Sequence, residues 1–205
     1  MRAKEFIEVI AESEVLDEFS YTDHQIKRIL QKKGYKFLGA GVDQQAYLEP
    51  STGYVLKIFG SQEGSKGFSP DHKMFFKWAK FCMKHQDNPF LPRFYGYESF
   101  EFDGDMYLQI RTEQLFTDKK LQSAVSELGA QTQFPSWEGR FTKQDEKVVL
   151  AAVKTPERMK LLKWTLNKLY RKGEKNNYAW DLHAGNIMVR KDGTPVINDP
   201  WVLVD

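Results

Sequence analysis

The feature that most constrains the fold of this chain is a predicted β-hairpin between Asn186 and Asp199. An Asp-Gly pair such as Asp192-Gly193 favours a two-residue turn between antiparallel strands. Short apolar runs flank this pair on both sides, at residues 187–190 and 195–198. A two-residue turn at Asp192 and Gly193 would place Asn186 directly opposite Asp199.

The two ends of this predicted hairpin carry side chains that suit a magnesium ion. Opposed residues on one face of an antiparallel pair have Cβ atoms about 5 Å apart, so Asn186 and Asp199 could reach one cation. Asp181 lies five residues before Asn186. In phosphoryl transfer, an Asp at this spacing orients the acceptor hydroxyl, while an Asn and a second Asp hold the Mg²⁺ of ATP. The alternative for the hairpin alone is an ordinary surface turn.

A second group of residues predicts contacts with phosphates. Gly39 and Gly41 would let the backbone approach phosphate oxygens, although Gln44 stands where a third glycine is expected. Lys57 lies inside the apolar strand 54–59, where an ammonium group requires an anionic partner. The alternatives are an ordinary hairpin turn and an edge-strand lysine whose charged end reaches water.

Composition and charge exclude several classes of protein. The chain has 205 residues, 41% of them hydrophobic, which is enough for one domain or two small lobes. Its net charge of +2 does not favour nucleic acid as a partner or binding to a membrane surface. Cys82 is the only cysteine, so an internal disulfide is excluded, and its apolar surroundings predict a packed thiol. The absence of a long apolar stretch leads us to expect a soluble, cytoplasmic protein.

Hydrophobic periodicity predicts an α+β fold with an antiparallel sheet of about five strands. The predicted strands are residues 36–38, 45–48, 54–59, 94–97 and 106–111. The predicted helices are residues 4–17, 23–33, 70–85, 118–128 and 143–153, with a long one that begins at Thr155-Pro156. Residues 129–142 are expected to form a connecting loop or a recognition surface. The N-terminal helices are expected to pack on the rest of the chain through Phe6, Ile10, Ile26 and Leu30.

These motifs resemble the protein-kinase-like superfamily across residues 36–201. The residues that carry the resemblance are the Asp-Leu-His-Ala-Gly-Asn-Ile-Met run from Asp181 to Met188 and the Asn-Asp-Pro sequence that ends at Pro200. Both are most similar to the small early serine/threonine kinases of tailed bacteriophages. The resemblance implies a two-lobed fold with an N-terminal helical extension, an N-lobe with hinge and a minimal C-lobe, at residues 1–34, 35–115 and 116–205.

The resemblance also implies a role for each candidate residue. Asp181 would be the catalytic base, Asn186 and Asp199 the Mg²⁺ ligands, and Lys57 the contact of the α- and β-phosphates of ATP. His183 takes the place of a catalytic-loop lysine, as in aminoglycoside phosphotransferases, and would contact the γ-phosphate or make a structural hydrogen bond. The hinge would consist of Thr112 as gatekeeper and of Glu113 and Leu115, whose backbone would meet adenine.

The chain departs from the family pattern in three ways. Ala179-Trp180 replaces the usual His-Arg, so the arginine that reads a phosphorylated activation loop is missing. Few residues follow Asp199, so we expect no activation segment and constitutive activity. The helix at 70–85 contains no Glu to pair with Lys57, and Asp71 is the predicted substitute.

Three functions remain open on this evidence. The first is an ATP- and Mg²⁺-dependent serine/threonine protein kinase that acts on host or partner proteins, in the host cytoplasm if the protein is phage-encoded. The second is a small-molecule phosphotransferase of the aminoglycoside type. The third is a non-catalytic nucleotide-binding or host-inhibiting module.

Overall fold

The computed structural model describes residues 23–40, 44–60, 70–102, 105–133 and 141–203. The predicted helix at 4–17, the contacts of Phe6 and Ile10, and Gly41 lie outside these ranges.

Within the described ranges the chain is α+β, with five α-helices and nine strands. The helices are α1 (Asp23–Lys32), α2 (Pro70–Met83), α3 (Lys119–Gln133), α4 (Lys143–Val153) and α5 (Pro156–Lys175). The strands are β1 (Lys36–Ala40), β2 (Gln44–Leu48), β3 (Val55–Gly60), β4 (Phe94–Phe102), β5 (Asp105–Thr112), β6 (Tyr178–Trp180), β7 (Ile187–Val189), β8 (Pro195–Ile197) and β9 (Trp201–Leu203).

The chain forms two compact units, and the first is discontinuous in sequence. This first unit comprises the described residues up to Lys73 together with Arg93–Gln114. The second unit comprises Met74–Pro92 and the described residues from Leu115 onward. The chain therefore leaves the first unit inside α2 and returns to it just before β4.

The first unit is built on the predicted antiparallel sheet of five strands, which is confirmed, with the order β1-β2-β3-β5-β4. One face of the sheet is covered by α1, whose Ile26 and Leu30 are buried, as expected. They pack in one apolar cluster with Leu56 and Ile58 of the central strand β3. Because side chains alternate along a strand, Lys57 belongs to the opposite face of the sheet.

A buried carboxylate, which the sequence did not predict, lies beside the turn between β2 and β3. Glu49 is 3% exposed and accepts hydrogen bonds from the hydroxyl groups of Tyr35, at 3.0 Å, and Thr52. The Arg111 guanidinium lies 3.6 Å away. Burial alone would raise the pKa of Glu49, but the two hydroxyl groups and Arg111 outweigh it and lower that pKa. Burial and Glu49 raise the pKa of Tyr35, so its hydroxyl remains a donor.

We predict that Glu49→Gln lowers the free energy of unfolding by about 2 kcal/mol at pH 7, because the two hydroxyl groups and the Arg111 guanidinium lose a negatively charged partner. The folded-state pKa of Glu49 lies below the unfolded value, so its contribution is complete above about pH 4.3 and is lost as the pH falls through the folded pKa. Denaturant unfolding at pH 7 and pH 3 measures the free energy of unfolding. The difference in this free energy between the variant and the wild type should be smaller at pH 3. The exposed Glu98→Gln is the matched control, and an equal effect of both variants would contradict the prediction.

In the second unit, side-chain caps define where the helices begin. Thr142 and Asp145 form a reciprocal capping box at the start of α4. The predicted start of α5 is confirmed, since the Thr155 hydroxyl accepts the Arg158 N–H and Pro156 occupies the first turn. The helices share an apolar core, whose fully buried members include Leu128, Val149, Val153, Leu162, Leu166 and Leu169.

The prediction that a loop begins at residue 129 is wrong, because α3 continues to Gln133. The predicted end rested on Gly129, a residue type that often terminates helices. In the structure Gly129 is buried inside the helix, and a Cβ atom there would lie 2.5 Å from the Leu182 side chain. This glycine therefore serves close packing. The later part of the predicted loop, residues 134–140, lies outside the described residues.

Strands β6 and β9, which were not predicted, form an antiparallel pair with Trp180 opposite Trp201. The buried Trp201 donates its indole N–H to the Leu169 carbonyl of α5 at 3.1 Å. Gly173 permits this approach, since a Cβ atom there would lie 2.9 Å from the Trp201 indole nitrogen. The strand pair is thereby fixed to α5. Its strand β6 ends just before Asp181, and its strand β9 begins just after the Asp199-Pro200 sequence.

We predict that Gly173→Ala lowers the free energy of unfolding by about 1–3 kcal/mol, because a rigid indole must move. Helix propensity alone would give a stabilisation of about 1 kcal/mol, so the sign of the change tests the contact. Thermal and denaturant unfolding measure it. Asn167→Ala, at an exposed position of the same helix, should be neutral or stabilising.

No helix in the described part of the chain is long and apolar enough to cross a membrane.

Candidate functional site

The hairpin that follows Asn186 exists, but its predicted register is wrong by one residue. Strands β7 and β8 pair Ile187 with Ile197, which places Asn198, and not Asp199, opposite Asn186. The turn contains three residues: the Arg190 N–H donates to the Thr194 carbonyl, and Gly193 adopts a positive φ of 85°. The prediction assumed a two-residue turn, whereas a glycine in this conformation commonly closes a three-residue one.

Asp181 and Asn186 are nevertheless joined directly. The Asn186 amide nitrogen donates to the Asp181 carboxylate at 3.0 Å and to the Asp181 backbone carbonyl at 2.7 Å. A short 3₁₀ turn, Ala184–Asn186, brings the two residues together. Because the amide N–H groups point to Asp181, the amide oxygen of Asn186 is directed away from that carboxylate.

His183 lies beside the same carboxylate. Its Nδ1 accepts the Gly185 N–H at 3.0 Å, and its Nε2 lies 3.8 Å from the Asp181 carboxylate. A neutral imidazole that accepts at Nδ1 carries its proton on Nε2, so that N–H faces Asp181. The His183 side chain is 62% exposed, and it is therefore accessible to a solvent-borne ligand. The structural hydrogen bond expected as one role for this residue is present.

Asp199 is fixed through the residues on either side of it. The Asn198 N–H donates to the Asn186 carbonyl at 2.8 Å, and the Asp181 N–H donates to the Pro200 carbonyl at 2.9 Å. The Trp78 indole of α2 donates to the Asn198 carbonyl at 2.6 Å. Asp199 is thus held between two residues that are bonded to Asn186 and to Asp181.

Two polar side chains of α3 bind the backbone of the segment that contains Asp181 and Asn186. Gln122 donates to the Ile187 carbonyl, and Ser126 donates to the Leu182 carbonyl at 3.1 Å. With Gly129, which packs against Leu182, they form one face of the helix. Sequence reasoning missed these positioning residues. The available signal was a small or polar side chain at every helical turn within a buried apolar stripe.

A second missed contact fixes the hairpin to the loop after α2. The Arg190 guanidinium donates to the carbonyls of Pro89 and, at 2.8 Å, Leu91. The Ile197 N–H donates to the Phe90 carbonyl at 2.9 Å. An arginine at the end of a strand gives no sequence signal that it binds backbone carbonyls about a hundred residues earlier.

The predicted phosphate-binding residues of the first unit lie on its sheet. Lys57 is half-buried in β3, paired with Ala46 on one side and with Ile110 on the other. It is therefore in a central strand and not an edge-strand lysine. Gly39 lies at an irregularity in the pairing of β1 with β2. Asp71, the predicted partner of Lys57, belongs to α2, but its side chain lies outside the described part of the structure.

The predicted adenine-binding segment follows β5. Thr112 is buried and donates its hydroxyl to the Arg93 carbonyl at 3.0 Å. The Glu113 N–H also donates to that carbonyl, at 3.0 Å, so a backbone contact of Glu113 with adenine would use its carbonyl oxygen. Leu115 follows as the first residue assigned to the second unit.

The donor atoms at Asn186 and Asp199 fit the chemistry of Mg²⁺, which prefers amide and carboxylate oxygens and retains several water or phosphate ligands. Among the described residues, no group of three or more His, Cys, Asp or Glu side chains could hold a metal ion.

No protein-family model and no curated protein sequence matches this chain.

The thiol of Cys82 is buried and is influenced by the charge of Asp199. It is fully buried in α2, and burial, followed by the charge of Asp199, raises the pKa of its thiol. A protonated, enclosed thiol does not react.

We predict that Cys82 in the native protein reacts with a disulfide reagent at pH 8 at least about 100-fold more slowly than in guanidinium, because reaction requires local opening. Absorbance of the released chromophore measures both rates. Rapid stoichiometric reaction of the native protein would contradict the buried position.

Proposed function

We propose that this chain is an ATP- and Mg²⁺-dependent phosphotransferase, most consistent with a minimal serine/threonine protein kinase. The proposal is carried by one observation: Asp181 is hydrogen-bonded to Asn186, and Asp199 is held between the partners of these two residues. Phosphoryl transfer requires an oriented carboxylate for the acceptor hydroxyl together with amide and carboxylate oxygens that can bind Mg²⁺, and this short segment carries all three groups. The two-lobed kinase-like fold is part of the same proposal.

Asp181 would orient the acceptor hydroxyl and accept its proton. Its carboxylate is 41% exposed, so an incoming hydroxyl can reach it, while the bond from Asn186 fixes its orientation. His183 presents its Nε2–H beside this carboxylate, where it can donate to a phosphate oxygen. When bound, Mg²⁺ would supply charge neutralisation of the phosphates. Asn186 and Asp199 would hold it.

The resemblance assigns nucleotide contacts to Lys57, Gly39 and the segment 112–115. In this assignment the ammonium group of Lys57, which is half-buried in β3, binds the phosphates of ATP, and its removal weakens that contact. Lys57→Met is therefore expected to raise the KM for ATP more than it lowers kcat. The KM and kcat of Lys57→Met are measured independently of the Asp181 variant described next.

We predict that Asp181→Asn lowers kcat by at least about 100-fold with little change in ATP affinity, because the carboxylate acts on the hydroxyl in the transition state. Asp199→Asn should abolish the Mg²⁺-dependent part of ATP binding. Both substitutions are isosteric, so the hydrogen bond from Asn186 to residue 181 can persist. Glu146→Gln, which removes an exposed charge from α4, is the matched control.

The assay uses γ-labelled ATP, Mg²⁺ and a bacterial lysate, with calorimetry for nucleotide binding. Labelled protein bands that are absent with Asp181→Asn support a protein kinase. Labelled small molecules would indicate that the acceptor is a small molecule and not a protein. ATP binding without transfer would contradict a catalytic function. Transfer by Asp181→Asn within a few-fold of wild type would overturn the role of Asp181.

A further inference from the structure

Two adjoining cavities lie in the second unit, between α2 and α5. The first has a volume of about 260 Å³, and the residues that line it include Lys77, Lys84, Lys172 and Tyr178. The second, of about 230 Å³, is lined mainly by apolar groups such as Trp164. Phe81 lines both cavities. Together they form a groove with a basic part and an apolar part.

The basic part carries a row of positive charges. Lys77 and Lys80 lie along one side of α2, and Lys84 follows directly after its last residue, so the three backbone positions span about 10 Å at a helical rise of about 1.5 Å per residue. Lys172 faces them from α5, with its ammonium group 5.1 Å from the centre of the Phe81 ring. The described residues that line this cavity include no carboxylate. Neither Lys84 nor Lys172 takes part in an ion pair within the described part of the chain.

The apolar part differs from the basic part in its exposure and charge. Trp164 is 53% exposed, although it is among the largest apolar side chains. Lys168 lies 4.6 Å from its ring centre, and Asp87 contributes one carboxylate to the lining. This carboxylate opposes an acidic occupant, whereas the leucine and tryptophan side chains favour an apolar one.

The positive field extends from the first cavity into the second. Burial, followed by the charge of Lys168 and assisted by Lys172 and Lys84, lowers the pKa of His85 against the opposing effect of Asp87. The His85 imidazole is therefore neutral at pH 7 and adds no charge of its own.

We propose that this groove docks an extended acidic peptide segment of a partner protein, in which one large apolar residue lies next to the carboxylates. Carboxylates on alternate residues of an extended chain are about 6.6 Å apart, a spacing that the lysine row can match. A single phosphate group would contact only part of a lysine row whose backbone positions span about 10 Å, whereas an extended peptide can contact all of it. The apolar residue of the peptide would occupy the second cavity against Trp164, as the anchor of the interface.

The groove shares elements with the candidate site. Tyr178 and Trp201, which line the basic cavity, belong to the strand pair β6–β9. The same pair leads directly into Asp181 and follows Asp199. A peptide bound here would therefore lie against strands that hold the site, although its binding does not require phosphotransfer.

The test measures fluorescence anisotropy of a labelled ten-residue peptide with four glutamates around one phenylalanine, in the absence of ATP. We expect that replacing the glutamates with glutamine weakens binding by at least ~10-fold, since charge complementarity is lost. Replacing the phenylalanine with alanine should weaken it by at least ~5-fold, as expected for an anchor residue.

Two protein variants separate the two parts of the groove. Lys84→Gln with Lys172→Gln should weaken binding of both the phenylalanine and the alanine peptide by at least ~10-fold. Trp164→Ala should abolish the difference between those two peptides while leaving the alanine peptide unaffected. Lys160→Gln with Lys163→Gln, at exposed positions of α5, is the matched control and should change the affinity by less than ~2-fold.

Three results would overturn the proposal: no binding by the wild type, an equal loss in the control variant, or equal competition by inorganic phosphate or DNA. The first would leave no docking site, the second would show non-specific attraction, and the third would assign the groove to another anion. Circular dichroism of each variant excludes unfolding as the cause of a loss. Because no nucleotide is present, these outcomes are independent of the proposed phosphotransferase activity.

Discussion

The arrangement of the second unit depends on two backbone hydrogen bonds that enclose Asp199. One joins Asn198 to Asn186, and the other joins Asp181 to Pro200. A backbone hydrogen bond fixes the position of a residue without using its side chain. The side chains of Asp181, Asn186 and Asp199 are therefore not consumed by these two bonds. The close packing of α3 and α5 supports this segment, since contacts from both helices hold the strands and turns from which these bonds are made.

The two units differ in how the carboxylate of one acidic residue is paired and exposed. In the first unit, a buried carboxylate is compensated by two hydroxyl groups and a guanidinium, which makes it a structural feature of the sheet. In the second, the carboxylate of Asp181 is partly exposed and bonded by a single side-chain amide. A carboxylate that is oriented but still accessible can act on a ligand, whereas one that is enclosed and fully paired cannot.

Local patterns predicted most of the fold, because they reflect interactions between residues close in sequence. The five-stranded sheet, α1 and the Thr155-Pro156 helix start followed from periodicity and caps. The register of the hairpin did not, because Asp192 accepts the Thr194 N–H and Gly193 takes a left-handed conformation, which lengthens the turn by one residue. Glu49, Gln122 and Arg190 were missed because their partners are brought close by tertiary packing, for which a single sequence carries no periodic signal.

The discontinuity of the first unit has a consequence for protein synthesis. The central strand β3 pairs with β2 on one side and with β5 on the other, but residues 74–92 belong to the second unit and are translated between them. The apolar strand Val55–Gly60 therefore has one unpaired edge until β5 has left the ribosome. Such an edge is a template for pairing with other chains. During this interval α1 can already cover one face of the strand, since Asp23–Lys32 precedes it in the nascent chain.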